Sequence, residues 1–118
     1  MIWTDLSIAP AIGTEVAEAK DVVGAKAITV RTTAGEFPML LVRTGEVIKA
    51  YVNMCPHQFL PLDYRGTQLL SRDGTKLLCS AHGAMFDVKT GVGIAGEGLG
   101  SGLIAVPITQ SGAQIIIG

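Results

Sequence analysis

Cys55-Pro56-His57 and Cys79-Ser80-Ala81-His82 are the two stretches around which this chain has to be read. The chain contains two cysteines and two histidines, and these four residues are all of them. His57 and Cys79 are separated by 21 residues. Two sulfur and two imidazole donors gathered into two short loops point to a metal site. The order Cys-x-His followed by Cys-x-x-His is the more informative part, because each loop supplies one sulfur and one nitrogen.

The rest of the composition suits a small globular frame. At 118 residues, the chain is expected to form one domain over residues 1–118, long enough to bury a core without relying on metal. Apolar residues make up 48% and charged residues 16%, which excludes a disordered chain. The net charge of −1 argues against nucleic acid or an anionic membrane as the main partner. Two cysteines do not make the dense disulfide pattern of small secreted scaffolds. Met1-Ile2-Trp3-Thr4-Asp5 lacks the basic and apolar regions of a secretory signal, and no apolar run approaches the ~20 residues of a membrane span, so a cytoplasmic protein is expected.

Moving outward from the loops, the sequence predicts short strands separated by turns. Met39 to Arg43 and Val47 to Val52 form the clearest hairpin, joined by Thr44-Gly45-Glu46, and its second strand runs directly into Cys55. Before it, Ala27 to Thr32 alternates as a half-buried strand and Ala34 to Pro38 reads as a turn. Trp3 to Ile8 reads as a first strand, and Ala9 to Asp21 as an irregular crossover or a short helical turn. Gln58 to Arg72 has no clean period, and Arg72-Asp73-Gly74-Thr75 is a turn. Leu77-Leu78 leads into Cys79, and Met85 to Val88 leads out of the second loop. Six glycines fall between Gly91 and Gly102, and Leu103 to Ile108 and Gln114 to Ile117 close the chain as strands. The expected fold is all-β: an antiparallel β sandwich or partly open barrel with a two-loop metal-binding part, about residues 53–92, at one tip.

A single zinc ion accepts a Cys₂His₂ set, but structural zinc sites favour ligand pairs two to four residues apart, and only Pro56 separates Cys55 from His57. A [2Fe–2S] cluster with both thiolates on one iron and both imidazoles on the other needs one Cys and one His from each loop. The observed order meets that need.

The two loops resemble the Rieske [2Fe–2S] signature. The likeness extends to Tyr51-Val52-Asn53-Met54 before the first loop, Pro61-Leu62 after it, and His82-Gly83-Ala84-Met85-Phe86-Asp87 with Thr90-Gly91 around the second. In length and layout the chain is similar to a stand-alone Rieske ferredoxin. The resemblance implies that Cys55 and Cys79 ligate one iron and His57 and His82 the other, with the imidazole edges facing solvent. It also implies that backbone N–H groups of both loops donate to the sulfurs. Electrons would pass at that tip to and from redox proteins: a flavin reductase on one side, an oxygenase or similar acceptor on the other.

Departures from the family are as informative as matches. Cytochrome bc-type members carry an extra cysteine in each loop, where this chain has Leu60 and Ala81. They also carry Ser and Tyr hydroxyls beside the cluster, where Ala84 and Phe86 stand here. Losing both donors lowers the potential, so a midpoint of about −150 to 0 mV is expected, and a value above roughly +150 mV overturns the argument. Phe59 stands where many such ferredoxins have Gly, and Gly96-Glu97-Gly98 lacks the family's proline in the third loop.

Other motifs carry less. Gly91-Val92-Gly93-Ile94-Ala95-Gly96 matches G-x-G-x-x-G without the βαβ context of a dinucleotide site, and reads instead as a loop folded over the cluster. Asp63, Asp87 and Glu97 read as solvated acids, Met54, Met85, Trp3 and Tyr51 as core, and Tyr64 and Arg65 as surface residues available to a partner. No catalytic residue is assigned. With no histidine left over, the two histidine ligands that a catalytic oxygenase iron needs are missing. The expected function is one-electron transfer by a free ferredoxin. The alternatives are a small subunit of a larger redox enzyme, nitrite-reductase-like, and, as a different class, a structural-zinc module.

Overall fold

A computed structural model of the protein describes residues 2–56, 60–80, 83–96 and 100–118. Nine short strands build three antiparallel three-stranded sheets among these residues. The middle sheet contains β2 (Ala25–Thr32), β3 (Gly35–Thr44) and β4 (Val47–Val52) in that order. A second sheet orders β1 (Glu15–Glu18), β9 (Gln114–Ile117) and β8 (Ile108–Ser111). The third contains β5 (Lys76–Leu78), β6 (Met85–Asp87) and β7 (Gly93–Ala95) and carries the second metal-capable loop between β5 and β6.

The middle sheet is buried on both faces, which explains why Met39 to Val42 reads as an unbroken apolar run. Successive side chains on a strand point to opposite faces. Leu40 and Val42 of β3, with Tyr51 of β4, therefore join one apolar cluster that also contains Leu62, Leu77, Phe86, Cys55 and Cys79. Phe37, Met39 and Leu41, with Ala50 and Val52, join the other cluster against Ile115 and Ile117 of β9. Pairing of Leu40 with Tyr51 and Met39 with Val52 keeps the faces in step. A slip of one residue would exchange the two clusters' contents, so burial on both sides enforces the register.

Proline in a central strand normally removes a ladder hydrogen bond. Pro38 avoids that cost by position. Its carbonyl accepts from the Asn53 amide at 3.0 Å, one residue beyond the end of β4. In an antiparallel ladder the N–H of a residue points to the same side as its C=O. The donor missing from Pro38 thus falls where β4 has already left the sheet on its way to Cys55.

Four expectations change. Trp3 to Ile8 is not a strand: Trp3–Asp5 is a 3₁₀ turn, closed by the Ile2 amide donating to the Asp5 carboxylate at 2.8 Å. A short acidic side chain that bonds its own backbone competes with strand pairing. Glu15–Glu18 is a strand rather than a crossover, because β9 at the far end of the chain pairs with it. Leu103 to Ile108 is extended but is not one strand. Val52 N–H bonds Ile104 O and Val106 N–H bonds Ala50 O, and β8 begins only at Ile108, after the N–H-less Pro107. The predicted turn at Ala34 to Pro38 also shrinks to Thr33-Ala34, since Thr32 pairs with Gly35.

Candidate metal centre

Each metal-capable loop leaves a strand and is closed in the same way. The Cys55 amide donates to the Leu60 carbonyl at 2.7 Å, and the Cys79 amide to the Ala84 carbonyl at 2.9 Å. Both closures span five residues, so the two cysteines occupy equivalent places in two like loops. The Gly83 amide adds a bond to the Cys79 carbonyl at 3.1 Å. Both cysteines are buried, in the same apolar cluster as Leu62, Ala84 and Phe86. Ala84 and Phe86 are fully buried there, with no hydroxyl to offer a sulfur. His57 and His82, along with Phe59, Ala81 and Glu97, lie outside the described residues.

The loops are tied to one another through the segment that follows the first. The Leu62 amide donates to Asn53 Oδ1 at 2.7 Å. The Leu62 carbonyl accepts from the Ser80 amide at 2.8 Å and from Ser80 Oγ at 2.7 Å. Ser80 Oγ in turn accepts from the Arg65 amide at 2.8 Å. Asn53 is the one buried polar residue among those described, and its Nδ2 donates to Asp63 Oδ1 at 2.9 Å. These links are missing from the sequence reading. They join residues 9 to 18 apart with no periodic signal, and only the combination of a polar side chain with a buried position marks Asn53. Asp63, read as a solvated acid, is half-buried and holds the Asn53 amide.

The glycine-rich stretch meets the second loop at Gly96. Gly96 has φ +66°, and a Cβ there would lie 2.7 Å from the Gly83 carbonyl oxygen. Only glycine permits both the left-handed backbone and this approach. Among the described residues no helix follows, so the G-x-G-x-x-G match has no dinucleotide context there. Asp87 caps its turn by accepting from the Lys89 and Thr90 amides. Tyr51 is core, as expected: its hydroxyl donates to the Val88 carbonyl at 2.8 Å, and burial, with the Asp87 charge, pushes its pKa up to about 12. Trp3 and Met54 are half-buried against the second apolar cluster. Met85 is only half-buried and lines a groove with Ser71 and Lys76 instead of joining either cluster. Tyr64, 58% exposed, and Arg65 are on the surface.

Two thiols delivered by separate, similarly closed loops into one buried apolar cluster are donors suited to iron or zinc. The family model described as "Rieske [2Fe-2S] domain" matches residues 13–104. The chain belongs to the Rieske [2Fe–2S] family. Solved structures share the architecture. The ferredoxin of carbazole 1,9a-dioxygenase from Nocardioides aromaticivorans IC177 is 20% identical with a TM-score of 0.71, covering 91% of this chain and 97% of its own. A Sphingomonas yanoikuyae B1 ferredoxin is 21% identical with a TM-score of 0.69, covering 89% and 96%. A chain in the complex of reduced oxygenase and oxidized ferredoxin in carbazole 1,9a-dioxygenase is 23% identical with a TM-score of 0.70, covering 90% and 92%. No curated protein matches the chain. Rieske domains bind a [2Fe–2S] cluster, and the described half of the donor set fits one: two sulfurs, one per loop, in a buried apolar setting. No helix among the described residues is long and apolar enough to cross a membrane.

Proposed function

We propose that this chain is a soluble, cytoplasmic Rieske ferredoxin that carries single electrons from a reductase to a terminal oxygenase or a similar acceptor, with no substrate chemistry of its own. The observation that carries the proposal is the convergence of Cys55 and Cys79, from two loops closed alike, in one buried cluster of a Rieske-family chain. Residues 1–118 act as one Rieske domain, and about residues 53–92 form its cluster-bearing part.

A bound [2Fe–2S] cluster supplies reversible one-electron transfer. Cys55 and Cys79 would hold one iron through sulfur, and His57 and His82 the other through imidazole nitrogen. The protein's own contribution is to bind, to exclude water from the sulfur side and to present the imidazole side to a partner. Burial of Cys55, Cys79, Leu62 and Phe86 supports the second role. A partner of the oxygenase kind is supported by similar folds in oxygenase–ferredoxin complexes of carbazole 1,9a-dioxygenase. Tyr64 and Arg65, exposed beside the loops, would meet such a partner.

Purified protein should be red-brown, with two irons and two labile sulfides per chain and the rhombic electron paramagnetic resonance signal of a reduced mixed Cys/His cluster. Colourless protein with one zinc per chain would overturn the proposal. His57→Cys should lose the cluster or shift its potential, and an unchanged spectrum and potential would remove His57 from the ligand set.

A further inference from the structure

The two ligand loops belong to different sheets, so something must hold their separation constant. Each is closed on itself by its own Cys-amide bond, which fixes the loop but not its distance from the other. Among the described residues, polar ties between them meet on the backbone of Leu62. Its side chain is fully buried in the cluster that contains both cysteines. Its N–H is taken by Asn53, two residues before Cys55, and its C=O by both the amide and the hydroxyl of Ser80, next to Cys79. A residue held at its side chain, amide and carbonyl has no freedom left to shift. The Ser80 hydroxyl is used twice, donating to Leu62 and accepting from the Arg65 amide, so it also pins the segment that carries Tyr64 and Arg65.

We propose that Asn53 and Ser80 are positioning residues that set the spacing of the two ligand loops through Leu62, and thereby hold the geometry of the cluster. The inference rests on the Rieske reading above and adds roles that the four ligands do not supply. Hydrogen bonds around a metal site orient its ligands, and their loss typically costs 10- to 100-fold in metal affinity or activity. Ser80→Ala removes two bonds but leaves the Ser80 amide on the Leu62 carbonyl and exposes no new buried donor. The chain should still fold. Asn53→Ala strands a buried Leu62 amide and the Asp63 carboxylate, and has the larger effect.

The test compares wild type, Ser80→Ala, Ser80→Thr and Asn53→Ala, each expressed and purified alike. Iron release into a strong chelator is followed alongside the resonance g-values of the reduced protein and thermal unfolding of the iron-free chain. Ser80→Ala should release iron about tenfold faster, with broadened g-values and iron-free unfolding close to wild type. Ser80→Thr should restore the wild-type rate, because it keeps the hydroxyl. Asn53→Ala should release iron faster still, or purify without it. Wild-type release and g-values in Ser80→Ala would overturn the inference. So would faster release in Ser80→Thr equal to that of Ser80→Ala, or destabilisation of the iron-free chain that accounts for the whole effect. Wild-type protein that never holds iron would overturn the Rieske reading and this inference with it, an outcome visible before any variant is made.

Discussion

Ala84 and Phe86 bring no hydroxyl to the buried cluster that contains Cys55 and Cys79. Both are fully buried in the same cluster as the cysteines, and neither side chain has a donor. Ala84→Ser would introduce a hydroxyl into that cluster. One added hydrogen bond of about 1 kcal/mol to the reduced state corresponds to roughly 40 mV for one electron. The midpoint, measured by spectroelectrochemical titration, should rise by that order, and an unchanged or lower value would show that residue 84 does not face a cluster sulfur. Tyr51 offers a second test at this scale. Its pKa is pushed up to about 12 by burial and by the Asp87 charge, against about 10 in an unfolded chain. A raised folded value means that the protonated form favours the native state. That contribution is complete below pH ~10 and is lost as pH rises toward ~12. Denaturant midpoints should therefore fall across that window in wild type, and fall less steeply in Tyr51→Phe.

At the level of elements, the contact that Gly96, just after β7, makes with the second loop is sensitive to a single methyl group. Gly96→Ala forces a left-handed residue, about 1–2 kcal/mol, and places Cβ 2.7 Å from the Gly83 oxygen. One of the two segments must move, and the second ligand loop is the one already committed by the Cys79–Ala84 closure. The third loop should lift. Thermal unfolding of Gly96→Ala should drop by several degrees, with faster loss of the cluster's visible absorption in air. Wild-type behaviour on both counts would mean that the contact is readily relieved. The hairpin before β5 is organised differently. Asp73 accepts from the Ser71 hydroxyl and from the Thr75 hydroxyl and amide, and these bonds hold its carboxyl well below the usual carboxylate range. It is a solvated turn whose tightening is lost as pH falls through that lowered value.

The whole molecule is a middle sheet with a different task on each face. Leu40 faces the cysteine-bearing cluster and Leu41, its neighbour, faces β9. Truncating a buried leucine costs about 2–5 kcal/mol by lost transfer energy and cavity formation. Leu40→Ala and Leu41→Ala should therefore destabilise to a similar extent in chemical denaturation. Only Leu40→Ala should also change the cluster's spectrum or its release rate. Equal spectroscopic effects from both would show that the two faces are not mechanically separate.

Chemistry and local pairing were determined by the sequence alone. One Cys and one His in each of two loops is a statement about residue order, and the Rieske resemblance rests on it. The β3–β4 hairpin was legible because its strands are long and joined by a tight glycine turn, and β9 because it is an apolar run at the end of the chain. Tertiary structure alone decided the remainder. Glu15–Glu18 is a strand only because Ile115 and Ile116 come back to it across most of the chain's length. Trp3 to Ile8 lost its strand to a local Asp5 bond that propensity does not weigh. The convergence of Asn53, Leu62 and Ser80 depends on bonds between residues far apart in order. Such contacts leave no period in the sequence, because a polar side chain finds its buried partner only after the sheets have fixed where the loops meet.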